Sequence, residues 1–342
     1  TDVTVSLNAT DNEGGSGVRE IRYRVDAEAE QGVSAASASV LLTKEGQHTL
    51  NYWAVDNAGN AEASKSLVIN IDKTKPAISS SRSPGPNANG WNNTDVTVNF
   101  TATDNLGDPG VTGPTIFSQE GANQAVTGTA YDKAGNFASV TVGNINIDKT
   151  PPTINVATPQ TRNYVTSQSF TLDFSASDAL SGLSGPVATL DGKPVVSGQV
   201  INLANMAGSH NLTVSASDKA SNSTTVSVDF YVAIAATIRV EPDSLSLKSQ
   251  SDKTAITAYI EFPTGYSVER IDVPTVWLSV NGMIVPAQLG SASKEDSNLV
   301  VRFNREDVII ALAGQTGKVT LTVGGTLNDG RRFVGTDTIN VN

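Results

Sequence analysis

Asp56, Asp132 and Asp218 carry the pattern with the most chemical promise. Each opens a five-residue segment: Asp56-Asn-Ala-Gly-Asn60, Asp132-Lys-Ala-Gly-Asn136 and Asp218-Lys-Ala-Ser-Asn222. Further oxygen donors accompany each one. The first has Asp11, Asn57, Asn60 and Asp72; the second has Asp104, Asn136 and Asp148; the third has Asp178. Calcium takes six to eight hard oxygen ligands, so these residues are the candidate metal ligands and Ca²⁺ the candidate cofactor. The same segments also read as hairpins, in which Asp accepts backbone hydrogens, Gly takes the positive φ and Asn caps the return. No Asp-x-Asp-x-Asp-Gly loop decides between the two readings.

Other chemistry is poorly supplied. The chain has no cysteine and two histidines, which removes thiol nucleophiles, disulfides and Cys-ligated zinc. His48 and His210 each stand eight residues before a turn aspartate, at a position where the second segment has Gln124. A general base does not recur with a fold and exchange with glutamine, so both read as strand-entry residues, and Ser-His and Cys-His triads have no base. A paired-carboxylate hydrolase would need two aspartates set apart for the purpose, whereas these repeat as turn residues do. No catalytic residue is expected. Trp53, Trp91 and Trp277 could stack on sugar; Trp91, in a Gly-Asn-rich stretch, is the one whose context reads as surface.

The elements that position these residues are short strands. Val3-Thr-Val-Ser-Leu-Asn-Ala-Thr-Asp11, Val96-Thr-Val-Asn-Phe-Thr-Ala-Thr-Asp104 and Phe170-Thr-Leu-Asp-Phe-Ser-Ala-Ser-Asp178 align without a gap. Each alternates with period 2, the mark of a half-buried strand. A second alternating strand leads into each Asp-x-Ala turn and a third leaves it. Two of these end in Ile71-Asp-Lys-Thr-Lys-Pro76 and Ile147-Asp-Lys-Thr-Pro-Pro152, where proline removes a ladder donor and marks a linker. Units of this size with several strands fit β-sandwiches.

Composition narrows the partners. The 342 residues carry a net charge of −11 and are 17% charged and 38% hydrophobic. That acidity opposes binding to a phosphate backbone, which needs clustered Lys and Arg, so nucleic acid is excluded. The apolar runs are too short to span a membrane.

The segment Ala9 to Val18, together with Tyr52-Trp-Ala-Val-Asp-Asn-Ala-Gly-Asn60 and the Ile-Asp-Lys-Thr-x-Pro linkers, resembles the Ig-like repeats of large bacterial and archaeal secreted and surface proteins. From Ile238-Arg-Val-Glu-Pro-Asp-Ser-Leu-Ser-Leu-Lys248 onward the vocabulary changes, and the order of segments is similar to a module that ends many large secreted prokaryotic proteins. Where that module often carries an Asp-rich insertion, this chain has Lys294-Glu-Asp-Ser-Asn298. The resemblance implies an all-β chain of three Ig-like β-sandwiches, 1–72, 73–148 and 149–233, and a C-terminal β-sandwich module, 236–342, arranged as an elongated rod. It implies an extracellular structural or adhesive role, with a secreted hydrolase tail or a carbohydrate-binding module as alternatives. Expected partners are other surface domains, copies of the chain itself, or polysaccharide and the cell surface. The first copy lacks the strand that precedes the shared motif in the other two, so the polypeptide is expected to continue before Thr1 or to accept a strand from another chain; Asn342 is expected to lie near the natural C-terminus.

Overall fold

The computed structural model describes residues 1–248, 254–295 and 297–342. Asp296, in the segment compared above with an Asp-rich insertion, lies outside them. The chain is all-β and built of β-sandwiches. Its contacts divide it into two compact units, Thr1–Lys149 and Thr150–Asn342.

In the first unit, period-2 sequences produce sheets with one apolar face. Val3–Asn8 pairs antiparallel with Ser37–Leu42, and a four-stranded sheet runs Gln31–Val33, Val18–Val25, Gly46–Asp56, Lys65–Ile71. Leu7, Val40 and Leu42 from the former meet Ile21, Leu50 and Ile71 from the latter. The next sandwich has Val96–Thr103 between Thr115–Phe117 and Ala77–Ser83, facing Phe137–Ile147, Gly121–Tyr131 and Gly110–Val111. Val96, Val98 and Phe100 alternate inward onto Ile145 and Ile147. Gly128 makes room for that core, since a Cβ there would lie 2.3 Å from the Phe100 ring.

Ala77–Ser83 pairs with Val96–Thr103, and Thr153–Thr158 pairs likewise with Asp173–Ser177. Val3–Asn8 has a neighbour on one side only among the described residues.

In the second unit the strand Ser223–Ala235 joins two cores. Its first ten residues pair with Gly208–Asp218, over a cluster that includes Leu172, Leu203, Leu212 and Val214 and the mutually packed rings of Tyr164, Phe170 and Phe230. Its last two, Ile234 and Ala235, run parallel to Phe333 and Val334 in Arg332–Val341. There a larger core, including Phe303, Leu278 and Leu321, lies between the sheet of Thr237–Glu241, Ile256–Glu261 and Asn298–Phe303 and that of Trp277–Val280, Gly317–Thr326 and Arg332–Val341. The one α-helix among the described residues, Arg305–Ala311, is capped by the Asn304 side chain, which accepts from the backbone N–H of Glu306 and Asp307. No helix of the described residues is long and apolar enough to cross a membrane.

Candidate metal centre

The Asp-x-Ala segments are hairpins of one geometry. In each, the turn Asn donates its backbone N–H to one carboxylate oxygen of the Asp (2.7, 2.8 and 2.8 Å for Asn60, Asn136 and Asn222). Its amide donates to the other (2.7, 2.6 and 2.7 Å), and the Asp N–H returns to the Asn carbonyl at 3.0 to 3.1 Å. Gly59 and Gly135 adopt φ of 90° and 89°, and Ser221 takes 76° at the same place, a region open to glycine at no steric cost. The bonds from Asn60, side chain first and backbone second, hold the Asp56 carboxyl below its ordinary range. At Asp132 burial acts upward, but the two Asn136 bonds outweigh it and the net shift is down.

Asp72, Asp104 and Asp132 converge. Asp72 follows the strand Lys65–Ile71, Asp104 follows Val96–Thr103 and Asp132 follows Gly121–Tyr131; each contributes one carboxylate oxygen to a group lying within 4.8 Å. Asp104 Oδ2 accepts from Leu106 N–H at 3.0 Å, while Asp104 Oδ1 is buried with no hydrogen-bond partner. Asn136 Nδ2 donates to the Asp72 carbonyl at 3.2 Å, tying the linker to the second hairpin. Burial foremost, then the hydrogen bond with Glu45 and the charges of Asp104 and Asp132, pushes the Asp72 carboxyl above its ordinary value. Glu45 moves the opposite way, to about 2, because the Thr74 hydroxyl, the Asn105 amide and the Lys73 N–H all donate to it.

Three crowded carboxylates, a buried oxygen without a donor and no sulfur or imidazole form a donor set for a hard cation. The set suits Ca²⁺.

The remaining candidates do local work. Asp11 accepts from Asn12 N–H (2.9 Å) and Gly17 N–H (2.7 Å), folding the intervening loop around its carboxylate. A Cβ on Gly15 would stand 2.4 Å from it. Asp178 accepts from Leu180 and Gly182 N–H (3.1 and 2.7 Å), and its carboxylate reaches within 4.8 Å of that of Asp218. Asp148 donates its backbone N–H to Asn92 O at 2.9 Å. Asp11 and Asp56 belong to no group of three such ligands among the described residues.

Sequence reasoning missed Glu45, Asn105 and the lysine lock beside them. Lys73 Nζ donates to Asp2 and to the Thr43 carbonyl, and Lys149 repeats this with Asp95 and Ser118. Glu45 accepts from Lys73 N–H, and Glu120 from Lys149 N–H. The signal was present: Thr-Asp-Val-Thr-Val occurs at Thr1 and Thr94, and Glu-Gly at Glu45 and Glu120.

The histidines are clamps at strand entry. His48 Nδ1 faces Asp26 Oδ2 at 2.8 Å and its Nε2 faces the Lys44 carbonyl at 2.9 Å; His210 faces Asp191 Oδ2 and the Met206 carbonyl at 2.7 and 2.6 Å. At His48 both ring nitrogens meet acceptors, so an imidazolium satisfies the site and a neutral ring leaves one contact unmade. Gln124 substitutes with an amide donating to Gln119 and Gly121 carbonyls. The Asp26 bond first, then the Lys44 carbonyl, raises the His48 pKa, with the Lys44 charge opposing. Its stabilisation is complete below the unfolded value of about 6.5 and is lost as pH rises through the higher folded value. His48→Gln is expected to flatten the dependence of melting temperature on pH from about 6 to 8; a slope equal to the parent's would refute the clamp.

No family model matches the chain, and no curated protein matches it. Solved structures that align with it include a Ca²⁺-stabilized adhesin that helps an Antarctic bacterium reach out and bind ice, at 17% identity over 100% of this chain and 94% of that one, with a TM-score of 0.26. A protocadherin gammaB7 EC3-6 cis-dimer structure aligns at 16% over 94% and 93%, TM-score 0.27. A Bacteroides ovatus glucan-utilization protein in complex with a mixed-linkage heptasaccharide aligns at 13% over 56% and 47%, TM-score 0.21.

Proposed function

We propose that the chain is a non-catalytic, extracellular segment of a prokaryotic cell-surface or filament-forming protein. In this reading it acts as a spacer or adhesive string of four domains, 1–72, 73–148, 149–233 and 236–342. The first two domains are joined by Ca²⁺ held at Asp72, Asp104 and Asp132. The observation that carries the reading is the buried, donorless Asp104 Oδ1 within a carboxylate group that includes a linker residue. A chain whose work is mechanical must stiffen its connections, because domain interfaces are otherwise mobile. A bound cation would neutralise the crowded charge, and Asn136 and Glu45 already bring the linker against both neighbours.

Lys73 reports on this. Trypsin cleavage after Lys73 is expected to slow about tenfold or more in millimolar Ca²⁺ relative to chelator, because cleavage follows local opening. Equal cleavage rates in the two conditions would sink the calcium-joined reading.

A further inference from the structure

The strand Ser223–Ala235 changes neighbours near its end. Asn163–Val165 runs parallel beside Tyr231–Ala233, and Arg332–Val341 then takes over beside Ile234 and Ala235. Where one neighbour gives way to the other, a crevice of about 550 Å³ opens, with Asn163, Tyr231, Thr275, Trp277, Gly325 and Arg332 among its walls. That volume is within the range of small-ligand sites, roughly 300 to 1,000 Å³.

Two residues give the crevice its chemistry. Trp277 pairs across strands with Gly324, and a Cβ on that glycine would stand 2.5 Å from indole Cζ2. The absent side chain lets the indole lie close against the strand, and Trp277, half-buried, forms part of the crevice wall. Arg332 is exposed, with its guanidinium 4.8 Å over the Tyr231 ring, and the Tyr231 hydroxyl accepts from Arg332 N–H at 2.9 Å. Arg331 and Arg270 both pair with Asp329, at 2.7 and 3.5 Å, whereas Arg332 makes no ion pair among the described residues. In a chain of net charge −11, a guanidinium held on a ring at the mouth of a crevice and left without a carboxylate is complementary to an anionic ligand. Its fork matches a carboxylate in particular.

We propose that this crevice binds one uronic acid ring of an acidic polysaccharide, with the apolar face of the pyranose on Trp277 and the carboxylate on Arg332. Asn163 supplies an amide at the rim for a ring hydroxyl. The site deepens the adhesive reading by naming a surface it grips. It rests on that reading only for the presence of a glycan, and on nothing in the carboxylate group around Asp104.

The test is titration calorimetry of the full chain with trigalacturonate and, as a neutral counterpart, maltotriose. Trigalacturonate is expected to bind at least about tenfold more tightly than maltotriose, and Arg332→Gln, an exposed change, to remove that margin while leaving circular dichroism unchanged. Trp277→Ala is expected to weaken both sugars. Equal affinity for the two, absence of binding, or an Arg332→Gln variant with the parent's preference would overturn the proposal. Loss of sugar binding with calcium protection at Lys73 intact refutes this site alone. The reverse outcome refutes the metal alone.

Discussion

Gly335→Ala is expected to destabilise the unit Thr150–Asn342 by about 3 kcal/mol, the upper end of overpacking costs. A Cβ at this position would lie 2.2 Å from the Ala236 carbonyl oxygen and 2.5 Å from Ile238 Cγ1. The first of these is backbone and cannot rotate away. It is fixed on both sides, since Ala236 N–H donates to the Val334 carbonyl at 2.9 Å and Ile238 begins the inward alternation of Thr237–Glu241 in the core. Relief therefore requires the strand Arg332–Val341 to lift from the segment beneath it, and that strand pairs with ten consecutive residues of Gly317–Thr326. Gly143→Ala is the control, because its Cβ would meet only Ala125 Cβ, at an ordinary 3.9 Å. Hydrogen exchange of the amides in Gly317–Thr326 and Arg332–Val341 is the readout. Parent-level protection in Gly335→Ala would show that the close approach is not what demands glycine there.

Strand alternation was legible because its cause is local. Val96, Val98 and Phe100 face the core for the period-2 reason visible in the sequence, and the hairpin reading of Asp56, Asp132 and Asp218 rests on bonds spanning four residues. Long-range pairing was not legible in the same way. His48 and His210 were recognisable as equivalent strand-entry residues, yet their partners Asp26 and Asp191 lie 22 and 19 residues earlier, in the turns that follow Val18–Val25 and Leu183–Leu190. The candidate ligands show the same limit. Sequence proximity assigned Asp72 to the first copy, with Asp11 and Asp56, whereas the fold sets it beside Asp104 and Asp132 of the second. The reason is strand direction: Lys65–Ile71 delivers its last residue to the end of the sandwich where the following loops begin. Glu45 was less legible, because a Glu-Gly pair, even repeated at Glu120, carries no chemical pattern until the linker bonds to it are seen. The helix Arg305–Ala311 is too short for a periodicity to stand out, although Asn304 before two acidic residues is a capping signal.

Calcium at about one hundred times its dissociation constant is expected to stabilise the unit Thr1–Lys149 by about 2.7 kcal/mol. For a unit of this size that is roughly 5 to 10 °C in melting temperature. Asp104→Asn should do two opposite things. In chelator it should melt at or above the parent, since one of three mutually repelling carboxylates is gone and the new amide can donate toward Asp72 or Asp132 from the position where Asp104 Oδ1 now has no partner. In calcium it should gain little, because the cation loses a charged ligand. The two melting curves therefore exchange order with calcium, which simple damage to the fold cannot produce. Asp56→Asn separates the hairpin from the metal: its carboxylate serves Asn60 and joins no such group among the described residues, so that variant should lose stability in both conditions and keep the calcium shift. Magnesium should give a smaller shift than calcium, since it demands near-octahedral geometry and sheds water reluctantly. A calcium shift of parent size in Asp104→Asn would place the ion elsewhere, and no shift across millimolar calcium in the parent would remove it from this site. Either result would return Asp72, Asp104 and Asp132 to the role their hydrogen bonds already give them, which is closing turns and seating the linker.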